Sequence, residues 1–106
     1  MAAGESGPVV VLSGEADWST VGQLSELITA QLAGGVRQLM VDASGLRFAD
    51  SASVRVLVLA ARTLKERGGA LVLLRPQPAV ARMLTLLGVD QSITVRGGTE
   101  PEPEGT

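Results

Sequence analysis

The chain predicts an α/β fold: a single small domain of β-α-β-α-β-α-β order, with a mostly parallel sheet packed by helices. Three observations point there. Short β-branched or leucine-rich runs alternate with longer stretches whose apolar residues recur at helical spacing. Gly-Gly pairs at 34–35 and 68–69 follow the first two helical stretches, where a left-handed cap ends a helix. Trp18 and Phe48 are the only aromatic residues, so the core must be Val, Leu, Ile and Ala, which suits close packing of helices on a sheet.

Taken in order, Met1–Gly7 is small and polar and is expected to be disordered. Pro8–Ser13 reads as a buried strand, and Gly14-Glu15-Ala16-Asp17 as a turn. A helix starts near Thr20, which has capping-box spacing to Gln23. Val21, Leu24, Leu27, Ile28 and Leu32 share its apolar face. Arg37–Ala43 is the second strand. Asp50 or Ser51 begins a second helix that runs to about Arg67, with Val54, Leu57, Val58, Ala61 and Leu64 on the buried side. Ala70–Leu74 is the third strand. Arg75-Pro76-Gln77-Pro78 is a rigid connection, and Pro78 suits the first helical position. Val80, Met83, Leu84 and Leu87 mark a third helix, capped by Gly88. Ser92–Val95 is a short last strand. The folded domain is thus expected over 8–96. The acidic, Pro-rich stretch 97–106 has nothing to bury and is expected to be disordered.

Composition excludes several kinds of chemistry. Without His or Cys there is no imidazole base, thiol nucleophile, disulfide or zinc site of the usual ligands. Asp17, Asp42 and Asp50 are too few, and too unsupported by a second motif, for a magnesium or hydrolase site. They read as caps at strand ends, so no catalytic residue, metal or cofactor is expected. No Gly-x-Gly-x-x-Gly follows a strand. No basic region precedes the short apolar run at Pro8–Leu12, so no signal peptide is expected, and no run is long enough for a membrane span. The cysteine-free chain is compatible with a reducing cytoplasm. The net charge of −2 is uneven: residues 1–36 hold no Lys or Arg, and the nine basic residues lie between Arg37 and Arg96. Arg55 and Arg62, seven apart, share a helical face. The basic and aromatic content is too low for nucleic-acid binding, which leaves a solvated face or a protein contact.

The stretch Val41-Asp42-Ala43-Ser44-Gly45-Leu46-Arg47-Phe48-Ala49-Asp50-Ser51-Ala52-Ser53 carries the most information. It places a serine at the start of a long apolar helix, where free N–H groups and the dipole favour an anion. A phosphate on Ser51 would find donors there, yet Asp50 and Ser51 also suit plain capping. Trp18, just before the first helix, is either a staple against Val21 or Gly22 or an exposed contact aromatic. Ligand and partner sites in such sheets lie at the carboxyl ends of the strands, where Gly14–Asp17, Ser44–Ser51 and Arg75–Pro78 should gather.

On these residues the chain resembles the STAS domain family, and within it the small bacterial anti-sigma-factor antagonists. The Gly14–Asp17 turn, the Asp50-Ser51 junction, Gly68–Leu73 and the Pro78–Val89 unit are similar to four of its motifs, in order. The resemblance implies a binding protein, not an enzyme, that engages an anti-sigma factor, often a serine kinase, and so frees a sigma factor in the cytoplasm. It implies Ser51 as phosphoacceptor, with a phosphatase as the reversing partner. Asp50, Ala52 and Ser53 form its surroundings. Glu15, Asp17, Trp18, Asp50, Ser53 and Arg55 supply the partner surface. The chain departs from the pattern at Ser53, where Gly is usual and where the hydroxyl offers a second acceptor, and at Ala52. Only Met1–Gly7 is left for the family's extra N-terminal strand. The alternative is a non-switching STAS subunit of a lipid-transport ATPase or a stress-signalling assembly.

Overall fold

A computed structural model describes residues 1–6, 9–89 and 91–97. Eight elements follow one another: β1 (Ala2–Ser6), β2 (Val9–Ala16), α1 (Val21–Ala33), β3 (Gln38–Ala49), α2 (Ser51–Glu66), β4 (Ala70–Leu74), α3 (Pro78–Leu86) and β5 (Thr94–Arg96). The strands form one sheet in the order β1-β2-β3-β4-β5. Pairing of β2 with β3, β3 with β4 and β4 with β5 is parallel, as the alternation of strands and helices predicts.

One core holds the molecule together. Most of its strand residues are alternate ones: Val10 and Leu12 of β2, Leu39, Val41 and Ala43 of β3, Leu71 and Leu73 of β4. Successive side chains of a strand point to opposite faces, so these seven line a single face. Leu24 and Ile28 of α1, Val54, Leu57, Val58, Ala60, Ala61 and Leu64 of α2, and Val80 and Leu84 of α3 belong to the same cluster. All three helices therefore cover that face, with α2 packed against both α1 and α3. The opposite face carries Val9, Val11, Met40 and Leu74 half-exposed.

Three expectations are corrected. The N-terminal stretch is not disordered over Ala2–Ser6: those residues form β1, paired antiparallel with β2 from Ala2↔Ser13 to Ser6↔Val9. Small residues have little β-propensity of their own, so this strand owes its existence to the free edge of β2. It also supplies the extra N-terminal strand for which the sequence seemed too short. Second, Gly14–Ala16 is strand rather than turn. It stays paired with Leu46–Ala49 across register shifts between Val11 and Ser13 and between Gly14 and Glu15. Third, β3 does not stop at Ala43 but runs to Ala49. Gly45 permits this, because a Cβ there would meet Ser13 Cβ at 3.0 Å. The last strand begins two residues and ends one residue later than expected, at Thr94–Arg96. Residues 98–106, most of the expected tail, lie outside the described residues.

The helix ends follow the sequence closely. Gly35 and Gly68 take positive φ, +82° and +84°. Arg67 Nη1 donates to the carbonyls of Leu32 and Val36, at 3.0 and 2.9 Å, tying the end of α2 to the end of α1. Gly69 serves another purpose: a Cβ on it would lie 1.7 Å from the Arg37 carbonyl oxygen. Here β4 begins alongside β3, with the Ala70 N–H donating to that same oxygen at 3.1 Å.

Gly69→Ala is thus expected to destabilise the domain by about 2–3 kcal/mol, since overpacking against backbone cannot be relieved by a rotamer change. Urea unfolding reads this as a lower midpoint at unchanged slope. A wild-type midpoint would contradict the close approach of Gly69 to Arg37.

Candidate functional site

The carboxyl ends of β2, β3 and β4 gather three segments, and identifiable bonds hold them. The Asp50 N–H donates to the Ala16 carbonyl at 2.9 Å, placing the residues after Ala16 beside the start of α2. Arg75, at the end of β4, reaches Asp42 Oδ2 of β3 at 2.8 Å. Gln77 Nε2 donates to the Ser44 carbonyl at 2.6 Å. The segment 75–78, read from sequence as a rigid connection, therefore also fastens β3. Polar residues flanking both prolines were the available signal.

Arg75 stands at φ +51°, the only non-glycine with positive φ among the described residues. Such a conformation persists when its surroundings hold it. Its N–H donates to the Arg96 carbonyl at 2.7 Å, and its guanidinium is anchored by Asp42. The Asp42 carboxyl is held below its ordinary value, chiefly by the hydrogen bond from the Ser44 N–H, and also by the Ser44 side chain and Arg75.

The turn after β2 bonds to itself. Asp17 Oδ1 accepts from the Ser19 N–H at 3.0 Å and from the Ser19 hydroxyl at 2.6 Å, and the hydroxyl bond is the main cause of a lowered Asp17 pKa. The Asp17 N–H donates to Thr20 Oγ1 at 3.0 Å. Thr20 thus braces the turn and makes no side-chain capping bond to α1, contrary to the capping-box spacing. Trp18 is carried outward, 80% exposed. The staple reading is therefore overturned: this indole packs on nothing that would hide it. Phe48, the register partner of Glu15, is also exposed at 40%. Both aromatic residues of the chain are thus at the surface, and both belong to segments at this end of the sheet. Phe48 was not singled out as a contact residue, although an aromatic beside the only informative motif was the signal. Glu15 sits 3.8 Å from Arg47, both exposed, and such a pair contributes little.

The start of α2 resolves which residue caps it. Asp50 is the N-cap, and its Oδ1 accepts from the Ser53 N–H at 2.9 Å. Its carbonyl takes the Val54 N–H at 3.0 Å. Ser51 is the first helical residue and is exposed, as are Ala52 and Arg55. Its hydroxyl is not used in the cap, and the Ser51 and Ala52 N–H groups belong to the four that a helix leaves without internal partners. Ser53 is different. It is 1% exposed and its Oγ has no hydrogen-bond partner among the described residues. Its expected roles as second phosphoacceptor and partner contact are corrected: a hydroxyl sealed beneath the first turn meets neither a kinase nor a partner. Among the described residues no group of three acidic side chains gathers as for a metal ion, and no helix is long and apolar enough to cross a membrane.

Comparison with known proteins agrees with this geometry. Residues 1–96 match the family described as Mlab, STAS domain. A curated relative, the anti-sigma-B factor antagonist of Staphylococcus aureus, is 27% identical over 93 residues, covering 88% of this chain and 86% of its own. Among solved structures, an anti-sigma factor antagonist from Mycobacterium paratuberculosis superposes with a TM-score of 0.73 at 26% identity, over 90% of this chain and 82% of the other. The Bacillus cell fate determinant SpoIIAA, at 27% identity over 87% of this chain, is similar in two forms. Its unphosphorylated form has a TM-score of 0.70 with 79% of it covered, and its phosphorylated form 0.64 with 82% covered.

Two outcomes follow from the site's geometry. Ser53→Ala removes a buried, unpartnered hydroxyl and is expected to stabilise by about 1 kcal/mol, whereas Asp50→Ala loses the cap and is expected to cost about 1 kcal/mol. Opposite shifts of Tm by several degrees test this pair. A drop in Tm for Ser53→Ala would mean that the hydroxyl has a partner. The second outcome concerns acid. A carboxyl whose folded pKa is depressed adds stability above its unfolded value, and that stability is lost as pH falls through the folded value. From about pH 4 downward, wild type should therefore lose Tm faster than Asp42→Asn, which starts lower at neutral pH. Parallel Tm–pH curves would remove Asp42 from the acid sensitivity.

Proposed function

The chain belongs to the STAS domain family, and on that premise we propose that it is a phosphorylation-controlled antagonist of an anti-sigma factor. It acts in the cytoplasm as a binding partner and kinase substrate rather than as an enzyme. The observation that carries the proposal is the division of labour at the start of α2. Asp50 does the capping, so the exposed Ser51 hydroxyl is free to be modified without loss of the helix. A phosphate there would add about −1.5 to −2 charge beside Asp50, facing donors that suit an anion.

In the unmodified state the partner, an anti-sigma factor that is itself a serine kinase, rests on the surface around Ser51. The exposed Trp18 supplies the rigid apolar anchor that interfaces favour, and Asp17, Glu15 and Arg55 supply polar contacts at its margin. Modification puts charge in the middle of this surface, and the partner leaves because it would have to bury that charge. A phosphatase restores the hydroxyl. The relatives that are anti-sigma factor antagonists support this reading, as does the existence of SpoIIAA in both phosphorylated and unphosphorylated forms.

Incubation with the cognate anti-sigma kinase and ATP is expected to add one phosphate, on Ser51, and none to Ser51→Ala. Ser51→Asp should weaken binding at least tenfold, about 1.4 kcal/mol, as measured by titration calorimetry. Phosphate uptake by Ser51→Ala would misplace the acceptor. Unchanged partners for Ser51→Asp in a pull-down would favour a non-switching subunit of a lipid-transport ATPase or stress-signalling assembly.

A further inference from the structure

A groove of about 380 Å³ begins at Ser51 and runs along α2 to Arg62, between that helix and the end of α3. Val54 and Val58 form its buried floor. Leu59 on one wall and Leu87 on the other are 46% and 40% exposed. Arg55 and Arg62 border it, and neither forms an ion pair among the described residues. Among the described residues no carboxylate lines it. The two flanking helices carry Arg55, Arg62, Lys65 and Arg82 against Glu66 alone.

We infer that this groove seats an acidic, apolar-faced helical segment of the partner protein, with Arg55 and Arg62 receiving its carboxylates. Charge decides the occupant. A basic segment would cover the leucines but be repelled by the two guanidiniums, whereas an acidic amphipathic helix satisfies both parts. From Ser51 to Arg62 the groove spans about 17 Å of helix at 1.5 Å per residue, which matches three turns of a docked helix.

The inference rests on the Ser51 switch in one respect, and extends it. Ser51 and Arg55 are i and i+4 on one helix, so their side chains are neighbours. A phosphate on Ser51 competes for Arg55 with the partner's carboxylate and stands at the groove's entrance. The modification thus acts through loss of a cation from the seat, as well as through its own bulk and charge.

The test uses the full chain and two synthetic helical peptides of about 14 residues, with leucines at i, i+4 and i+7 and either Glu or Lys beside them. Fluorescence anisotropy is expected to show the Glu peptide binding at least tenfold tighter than the Lys peptide, with amide shifts confined to 51–62 and 86–89 in the NMR map. Arg55→Ala should weaken it about fivefold and Arg62→Ala similarly, with Tm unchanged. Ser51→Asp should weaken it as well, and by a smaller factor in the Arg55→Ala background. Equal binding of the two peptides, no binding, or shifts elsewhere would overturn the inference. So would sedimentation showing a dimer of this chain that buries the groove. Failure of the kinase to modify Ser51 would remove the switch and leave the peptide result standing, so the two readings fail separately.

Discussion

The parallel pairing of β2 with β3 is the constraint on which the rest depends. It begins in ordinary register at Val9↔Met40 and persists, through two shifts, to Ala16↔Ala49. Neither strand reads as strand that far, and the pairing is eased by Gly45, which passes Ser13 where a Cβ would meet Ser13 Cβ at 3.0 Å. Its continuation delivers the last residue of β2 to the N-cap of α2, where the Asp50 N–H closes on Ala16. The turn that exposes Trp18 and the helix that exposes Ser51 therefore rise from one rigid base. Function of this kind needs such a base, because sites placed by regular elements hold their geometry better than those on free loops.

Much of the fold was legible because its signals are local. Apolar spacing located α1, α2 and α3 within a residue or two, and Ala70–Leu74 coincides with β4. Glycines past the helices reported left-handed ends because only they adopt them cheaply. What escaped the sequence is what tertiary pairing decides. Ala2–Ser6 has no strand signal, and only the edge of β2 makes it one. Gly14–Ala16 and Ser44–Ala49 look like loops, since bulges disturb the alternation that marks a strand. At the site, the Asp50-Ser51 junction was readable as an anion-friendly helix start, but which of the two caps it was not, since both residue types do so. The burial of Ser53 and the exposure of Trp18 depend on what packs nearby, about which neighbours in sequence are silent.

The polar contacts at this end divide into those that build and those that remain available. Asp17, Asp42 and Asp50 each spend an oxygen on a backbone N–H close by in sequence. These carboxylates shape turns and caps. The arginines divide likewise. Arg75 and Arg67 are committed to Asp42 and to the carbonyls closing α1, while Arg55 and Arg62, along the flank of α2, form no ion pair among the described residues. An acidic turn and a basic flank thus adjoin on one surface, and the uneven distribution of charge along the chain becomes a spatial one.

The antiparallel β1 has an effect of a different kind. A parallel sheet built only from β2 to β5 would end in an eight-residue strand, Val9–Ala16, rich in valine and open along its whole edge. Such an edge templates the addition of strands from other molecules. With β1 in place, the outermost strand is Ala-Ala-Gly-Glu-Ser, short, small and a weak template, while the far edge offers only the three residues of β5. The five residues of β1 thereby cover the valine-rich edge that β2 would otherwise leave open.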